Sequence, residues 1–259
     1  MEKLTLVKIG GNILDNENAL DTFLKLFQQL PGKKILVHGG GKIATELSEK
    51  IGLDPEMVKG RRVTDAAMLQ VVTMVYAGLT NKTLIAKLQG LGVNALGLTG
   101  ADGNVIVASK RPVLEVDFGF VGDITEENVN TDFLISLINQ DIVPVFSAIT
   151  HDGQGQLFNT NADTIASTLA IALASMYHVR LIYCFEKKGV LKDINNEHSV
   201  ISLINEANFE ELIAQQIIAD GMIPKITNSL QATKKGVEQV VIKNANDLLD
   251  DSAGTIITK

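Results

Sequence analysis

An α/β fold with a mainly parallel sheet follows from three features of the 259-residue sequence. Short apolar runs such as Leu4–Ile9, Ile35–Val37 and Val179–Phe185 alternate with longer stretches of helical periodicity, the pattern of parallel strands covered by helices on both faces. Two of these runs give way to glycines, Gly10-Gly11 and Gly39–Gly41, where a strand hands over to a helix. The composition, 46% hydrophobic and 20% charged, suits a chain that buries a substantial core.

Leu4–Ile9 reads as a buried strand, with a helix over Asn18–Leu30 behind it. Lys8 stands near the strand's carboxyl end, where a cation is costly unless it faces a cleft or a partner. Open α/β sheets bind ligands at that edge. A stem packed on apolar surface with its amine in water is the alternative.

Ile35–Val37 forms a second buried strand, and Ala44, Leu47 and Ile51 follow at helical spacing, which makes His38–Gly41 a strand-to-helix turn. Without side chains at Gly39, Gly40 and Gly41, an anion can approach the free backbone N–H groups of such a turn. Asp54–Thr64 is a basic, hairpin-like stretch. A long helix is expected from Asp65 to about Leu91, its apolar face made of Met68, Val71, Val72, Val75, Leu79, Leu84, Ile85 and Leu88. That face is wide enough for a subunit contact or for burial within one chain.

Strands are expected at Val93–Leu98 and Ile142–Phe146, small antiparallel strands within Val105–Gly122, and a helix at Thr131–Asn139. In Asn159–Asp163, Asn161 suits an N-cap and Asp163 a first helical turn, so capping accounts for both and a functional role stands beside it. The next helix, with Ile165, Leu169 and Leu173 on one face, leads to the strand Val179–Phe185, the polar turn Glu186–Val190 and a helix at Glu206–Ile218. In Asp220–Ile226, Pro224 fits the first helical position, which puts Lys225 in the first turn. A cation there opposes the helix dipole and calls for an anion or for full solvation. Strands at Gln239–Ile242 and Gly254–Ile257 end the chain.

Lys plus Arg number 23 against 30 Asp plus Glu, a net charge of −7, which gives no general attraction to nucleic acid or anionic membrane. Cys184 is the only cysteine, so neither an internal disulfide nor a thiolate metal cluster can form, and a reduced cytoplasm fits. No apolar run approaches the roughly 18–20 residues of a bilayer span, and the start shows no signal-peptide pattern. His38, His151, His178 and His198 lack ligand spacing, so no metal site is expected and each reads as structural. G-x-S-x-G and the P-loop pattern are absent. Gly39–Ala44 satisfies G-x-G-x-x-A, but the region that should end a second strand in an acid is MVKGRRVTD. Glycine amides and the lysines Lys8 and Lys225 together suit phosphoryl transfer, which depends on positioning and charge neutralisation.

KIGGN, VHGGGK, GRRVT, NTNAD and DGMIPK occur in one order across nearly the whole chain. In these motifs the sequence resembles the acetylglutamate kinases of the amino acid kinase superfamily. The resemblance implies an open three-layer αβα sandwich, with an acylglutamate-binding and dimer-forming lobe over residues 1–175 and a nucleotide-binding lobe over 176–259. It implies MgATP as co-substrate, Lys8 and Lys225 flanking the transferring phosphoryl group, and Asp163 fixing both. Gly10, Gly11 and Gly40 would serve the phosphoryl group, Gly39–Gly41 the substrate, and Arg62 and Asn159 its α-carboxylate. Arg61 stands where the family usually has an apolar residue, which raises the hypothesis of a longer dicarboxylic acyl group such as succinyl. Cys184–Lys188 departs from the family's nucleotide loop. A homodimer through the helix from Asp65 is expected. The competing readings are another kinase of the superfamily and a nucleotide-binding regulator without catalysis.

Overall fold

The computed structural model describes residues 1–58, 60–193, 195–218 and 222–259. The chain divides into two compact units, Met1–Lys34 with Ala166–Lys259, and Ile35–Ile165. In the first unit the strands run in the spatial order Leu203–Ile204, Thr255–Ile257, Gln239–Asn244, Tyr177–Phe185, Glu2–Ile9. All pairs are parallel except Gln239–Asn244 with Thr255–Ile257. In the second unit Val143–Phe146 lies between Lys33–His38 and Ala95–Leu98, parallel to both. The α/β class with a mainly parallel sheet is thus what the chain adopts.

Leu4, Leu6, Val7 and Ile9 are fully buried, as expected of a covered parallel strand. The helix Glu17–Gln29 is capped by the Asn16 side chain, which accepts from Ala19 N at 3.0 Å, and it buries Leu20, Phe23, Leu24 and Phe27. The Lys34 ammonium closes its far end, donating to the carbonyls of Phe27, Gln28 and Leu30 at 2.8–2.9 Å.

Several expectations need correction. Ile51 does not join the buried face of the helix Gly41–Lys50. It is the C-cap, 55% exposed, and the buried positions are Ala44 and Ser48, whose hydroxyl bonds to Thr45 O at 2.8 Å. The expected long helix is three consecutive pieces, α over Ala66–Val72, π over Thr73–Thr80 and α over Asn81–Gly90. Its start is as read, with Asp65 as N-cap to Met68 N at 2.7 Å. Because the π turn changes the period, Leu79 is 59% exposed instead of buried, together with Met74 five residues earlier, while Tyr76 and Asn81, also five apart, are both buried. The helix read over Glu206–Ile218 spans Glu206–Ala214, since Gln216 turns to φ 57°. Pro224 is the second residue of the helix Ile223–Lys234, not the first. Asp220 and Gly221 of the DGMIPK motif, and Lys59 of the basic hairpin, lie outside the described residues. No helix among the described residues is long and apolar enough to cross a membrane.

Candidate active site

In the first unit, the strand Glu2–Ile9 ends where Gly10 N donates to Cys184 O at 3.0 Å. A Cβ on Gly10 would sit 3.4 Å from that carbonyl and from the Phe185 ring, so the close approach favours glycine. Gly11 opens the short helix Gly11–Leu14. Lys8 pairs in register with Tyr183, and its Nζ lies 5.5 Å from the centre of the Phe185 ring. Lys225, from the first turn of Ile223–Lys234, lies 3.6 Å from the same ring and 5.6 Å from that of Tyr183. Two cations far apart in sequence thus converge on one aromatic ring. A cavity of about 560 Å³ opens beside them, lined by Lys225, Met222, Gly189 and the segment Phe185–Lys187. Cys184 lies beneath, its thiol pushed up to about 12 by burial, which keeps it protonated and inert at neutral pH.

In the second unit, a cavity of about 210 Å³ is lined by Gly39, Gly40, Gly41, Arg61, Arg62, Tyr76, Arg111 and Asn159. Gly40 is the N-cap of Gly41–Lys50 at φ 154°, and a Cβ there would fall 2.8 Å from the Tyr76 ring. Arg62 is buried and donates from Nη2 to Gly41 O at 2.8 Å and to Thr45 Oγ1 at 2.6 Å, fastening the hairpin of Met57–Val58 and Arg61–Arg62 onto the first turn of that helix. Asn159 donates to Thr64 Oγ1 at 3.0 Å. Arg61 is exposed at the cavity edge. Asp163 lies in the first turn of Ala162–Leu173, where Asn161 accepts from Thr164 N at 3.0 Å as the expected cap.

Among the lining residues that sequence reading missed are Tyr76 and Arg111. Tyr76 sits in the apolar helix face and carries no motif; burial raises its phenol's pKa, and the adjacent Arg62 guanidinium partly offsets this. Arg111, bonded to Asp123 at 2.5 Å, comes from the irregular stretch before Pro112, where no periodicity or motif marks it.

Behind the glycine turn, His38 is fully buried, with Nδ1 2.7 Å from Gly39 O and Nε2 3.0 Å from Asn81 Nδ2. Burial pushes its pKa from 6.5 down to about 4. Between those values the unfolded chain binds a proton that the folded chain refuses, so His38's contribution to stability is complete above about pH 6.5 and declines as pH falls towards 4. The loss should amount to about 3 kcal/mol. Urea unfolding at pH 7 and pH 4.5 checks this, since His38→Asn should flatten the slope in that window.

Residues 3–244 match the model of the amino acid kinase family. A protein named acetylglutamate kinase from Phocaeicola vulgatus is 55% identical over 258 residues, covering 100% of this chain and 99% of its own. One of the same name from Bacteroides fragilis is 54% identical, covering 100% and 98%. Among solved structures, smu.665 from Streptococcus mutans superposes with a TM-score of 0.80 at 28% identity, covering 98% of each chain.

Proposed function

The chain belongs to the amino acid kinase family, and on that premise we propose that it transfers the γ-phosphoryl group of ATP to the γ-carboxylate of N-acetyl-L-glutamate, a step of arginine biosynthesis. The observation that carries this reading is the convergence of Lys8 and Lys225 on the Phe185 ring beside a cavity of nucleotide size. The carboxylate is already ionised at neutral pH, so it attacks without a general base. Its oxygen forms the new bond to phosphorus as the bond to the bridging oxygen of ADP breaks, leaving an acyl phosphate and ADP.

In this reading Lys8, Lys225 and the amide of Gly11 neutralise the phosphoryl group, and Asp163 fixes the ammonium groups. Gly10, expected to join them, has its own N–H committed to Cys184 O and serves only as a residue without a side chain at the approach. Gly39–Gly41, with the Gly40 N–H foremost, receive the substrate's reacting end, and Arg62 and Asn159 its α-carboxylate. Arg62 suits that task because a buried, already tethered guanidinium loses little freedom on binding. Mg2+ enters with the nucleotide as MgATP. The hairpin around Arg61–Arg62 serves as a lid that shields the labile product from water. Coupled ADP release with N-acetyl-L-glutamate, with hydroxylamine trapping of the acyl phosphate, tests the assignment; ATP turnover independent of any acylglutamate would reject it.

Arg61 and Arg111 line the same cavity as Arg62, and Asp123 neutralises only Arg111. This favours a second carboxylate on the acyl group, as in N-succinyl-L-glutamate. Its kcat/KM should then exceed that of the acetyl substrate by about tenfold, as a charged hydrogen bond allows, and the Arg61→Ala variant should lose the difference. A clear preference for acetyl assigns Arg61 to solvent. The reading also includes a cytoplasmic homodimer, supported by exposed Met74 and Leu79 on the helical segment Thr73–Thr80. Light scattering should give twice the chain mass, and Leu79→Glu should halve it.

A further inference from the structure

Two buried side chains behind the glycine turn, His38 and Asn81, have no part in the roles above. Asn81 Nδ2 lies 3.0 Å from Val145 O, which can only accept, and Oδ1 lies 3.1 Å from the Lys82 ammonium, which can only donate. These neighbours settle which end of the amide is which. The amide nitrogen therefore donates to His38 Nε2, which must be unprotonated. A neutral imidazole carries one N–H, so the proton is on Nδ1 and is donated to Gly39 O. Asn81 is tightly seated, since a Cβ on Gly97 would fall 1.9 Å from its Oδ1.

The Gly39 carbonyl and the Gly40 N–H belong to one planar trans peptide, in which they point in opposite directions. Holding the carbonyl against the buried ring turns the N–H away from it. The Tyr76 ring and Thr80 hydroxyl occupy the place a Gly40 side chain would take, and Gly40 itself lines the cavity. We propose that His38, its tautomer set by Asn81, is a positioning residue that presets the Gly40 N–H for the negative charge developing during phosphoryl transfer. The role rests on the acylglutamate kinase reading. A donor fixed beforehand stabilises that charge without reorienting during the reaction.

Kinetics of three variants and one spectrum test it. His38→Leu should lower kcat at least about tenfold while leaving KM for MgATP nearly unchanged. His38→Asn, whose amide nitrogen can take the place of Nδ1, should recover most of the rate. His38→Gln, whose amide reaches towards the Nε2 position, should not. The 15N–1H spectrum of the wild-type chain should show the Nδ1–H tautomer at neutral pH. An Nε2–H tautomer, or a folded His38→Leu with wild-type kcat, overturns the proposal. If His38→Leu fails to fold, equal rates for the Asn and Gln variants overturn it instead. A wild type that phosphorylates no acylglutamate strikes down the functional reading and the role with it, and is seen before any variant is made.

Discussion

Lys225→Met should turn over on the order of 10³-fold more slowly than the wild type, with KM for the acylglutamate little changed, because the charge is needed in the transition state more than in the ground state. Methionine keeps an unbranched apolar stem against the Phe185 ring, so the loss is of charge and not of packing. Lys8→Met should behave similarly, since its amine lies near the same ring, reaching it from the strand Glu2–Ile9 and not from a helix. The loss in the double variant should be far smaller than the product of the two single losses, as groups that act as a unit are non-additive. The check is kcat by coupled ADP release, with thermal melts to show that each variant is folded. Turnover within a few-fold of wild type in either single variant would remove the assigned charge neutralisation.

Gly40→Ala should cost both stability and activity. The backbone at φ 154° is one that residues with a side chain rarely adopt, and the added methyl would meet the Tyr76 ring at 2.8 Å. Strain and overpacking together should destabilise the chain by about 3 kcal/mol, and displacement of the Gly40 N–H should lower kcat/KM on the order of 10²-fold. Adding Tyr76→Leu relieves the clash but not the backbone, so the double variant should regain stability only in part. Urea unfolding gives the first quantity and steady-state kinetics the second. A Gly40→Ala chain as stable as wild type would show that the turn tolerates a Cβ.

The residues legible in the sequence were those that break a local preference. Lys8 is a cation near the end of an apolar strand, Lys225 a cation in a first helical turn, and Gly39–Gly41 a run with no side chains where a helix begins. Each could be noticed from its immediate neighbours. Tyr76 obeys its surroundings, an apolar helix face, and becomes a lining residue only through contact with Gly40, far away in sequence. Arg111 enters its cavity through pairing with Asp123, part of an irregular segment without periodicity. Ile51 misled because helical spacing marks a face without saying where the helix stops. The strand order was beyond periodicity altogether, since the antiparallel return of Thr255–Ile257 on Gln239–Asn244 depends on long-range pairing.

The π-helical stretch Thr73–Thr80 carries a consequence for how the gene can vary. Five residues of α-helix turn through about 500°, which would point positions 76 and 81 in directions some 140° apart. The wider coil instead stacks them, so that one phenol and one amide serve the same glycine loop. Losing a single codon here would restore ordinary winding and swing one of the two away. Length in this segment is therefore under tighter constraint than the identity of its outward-facing residues.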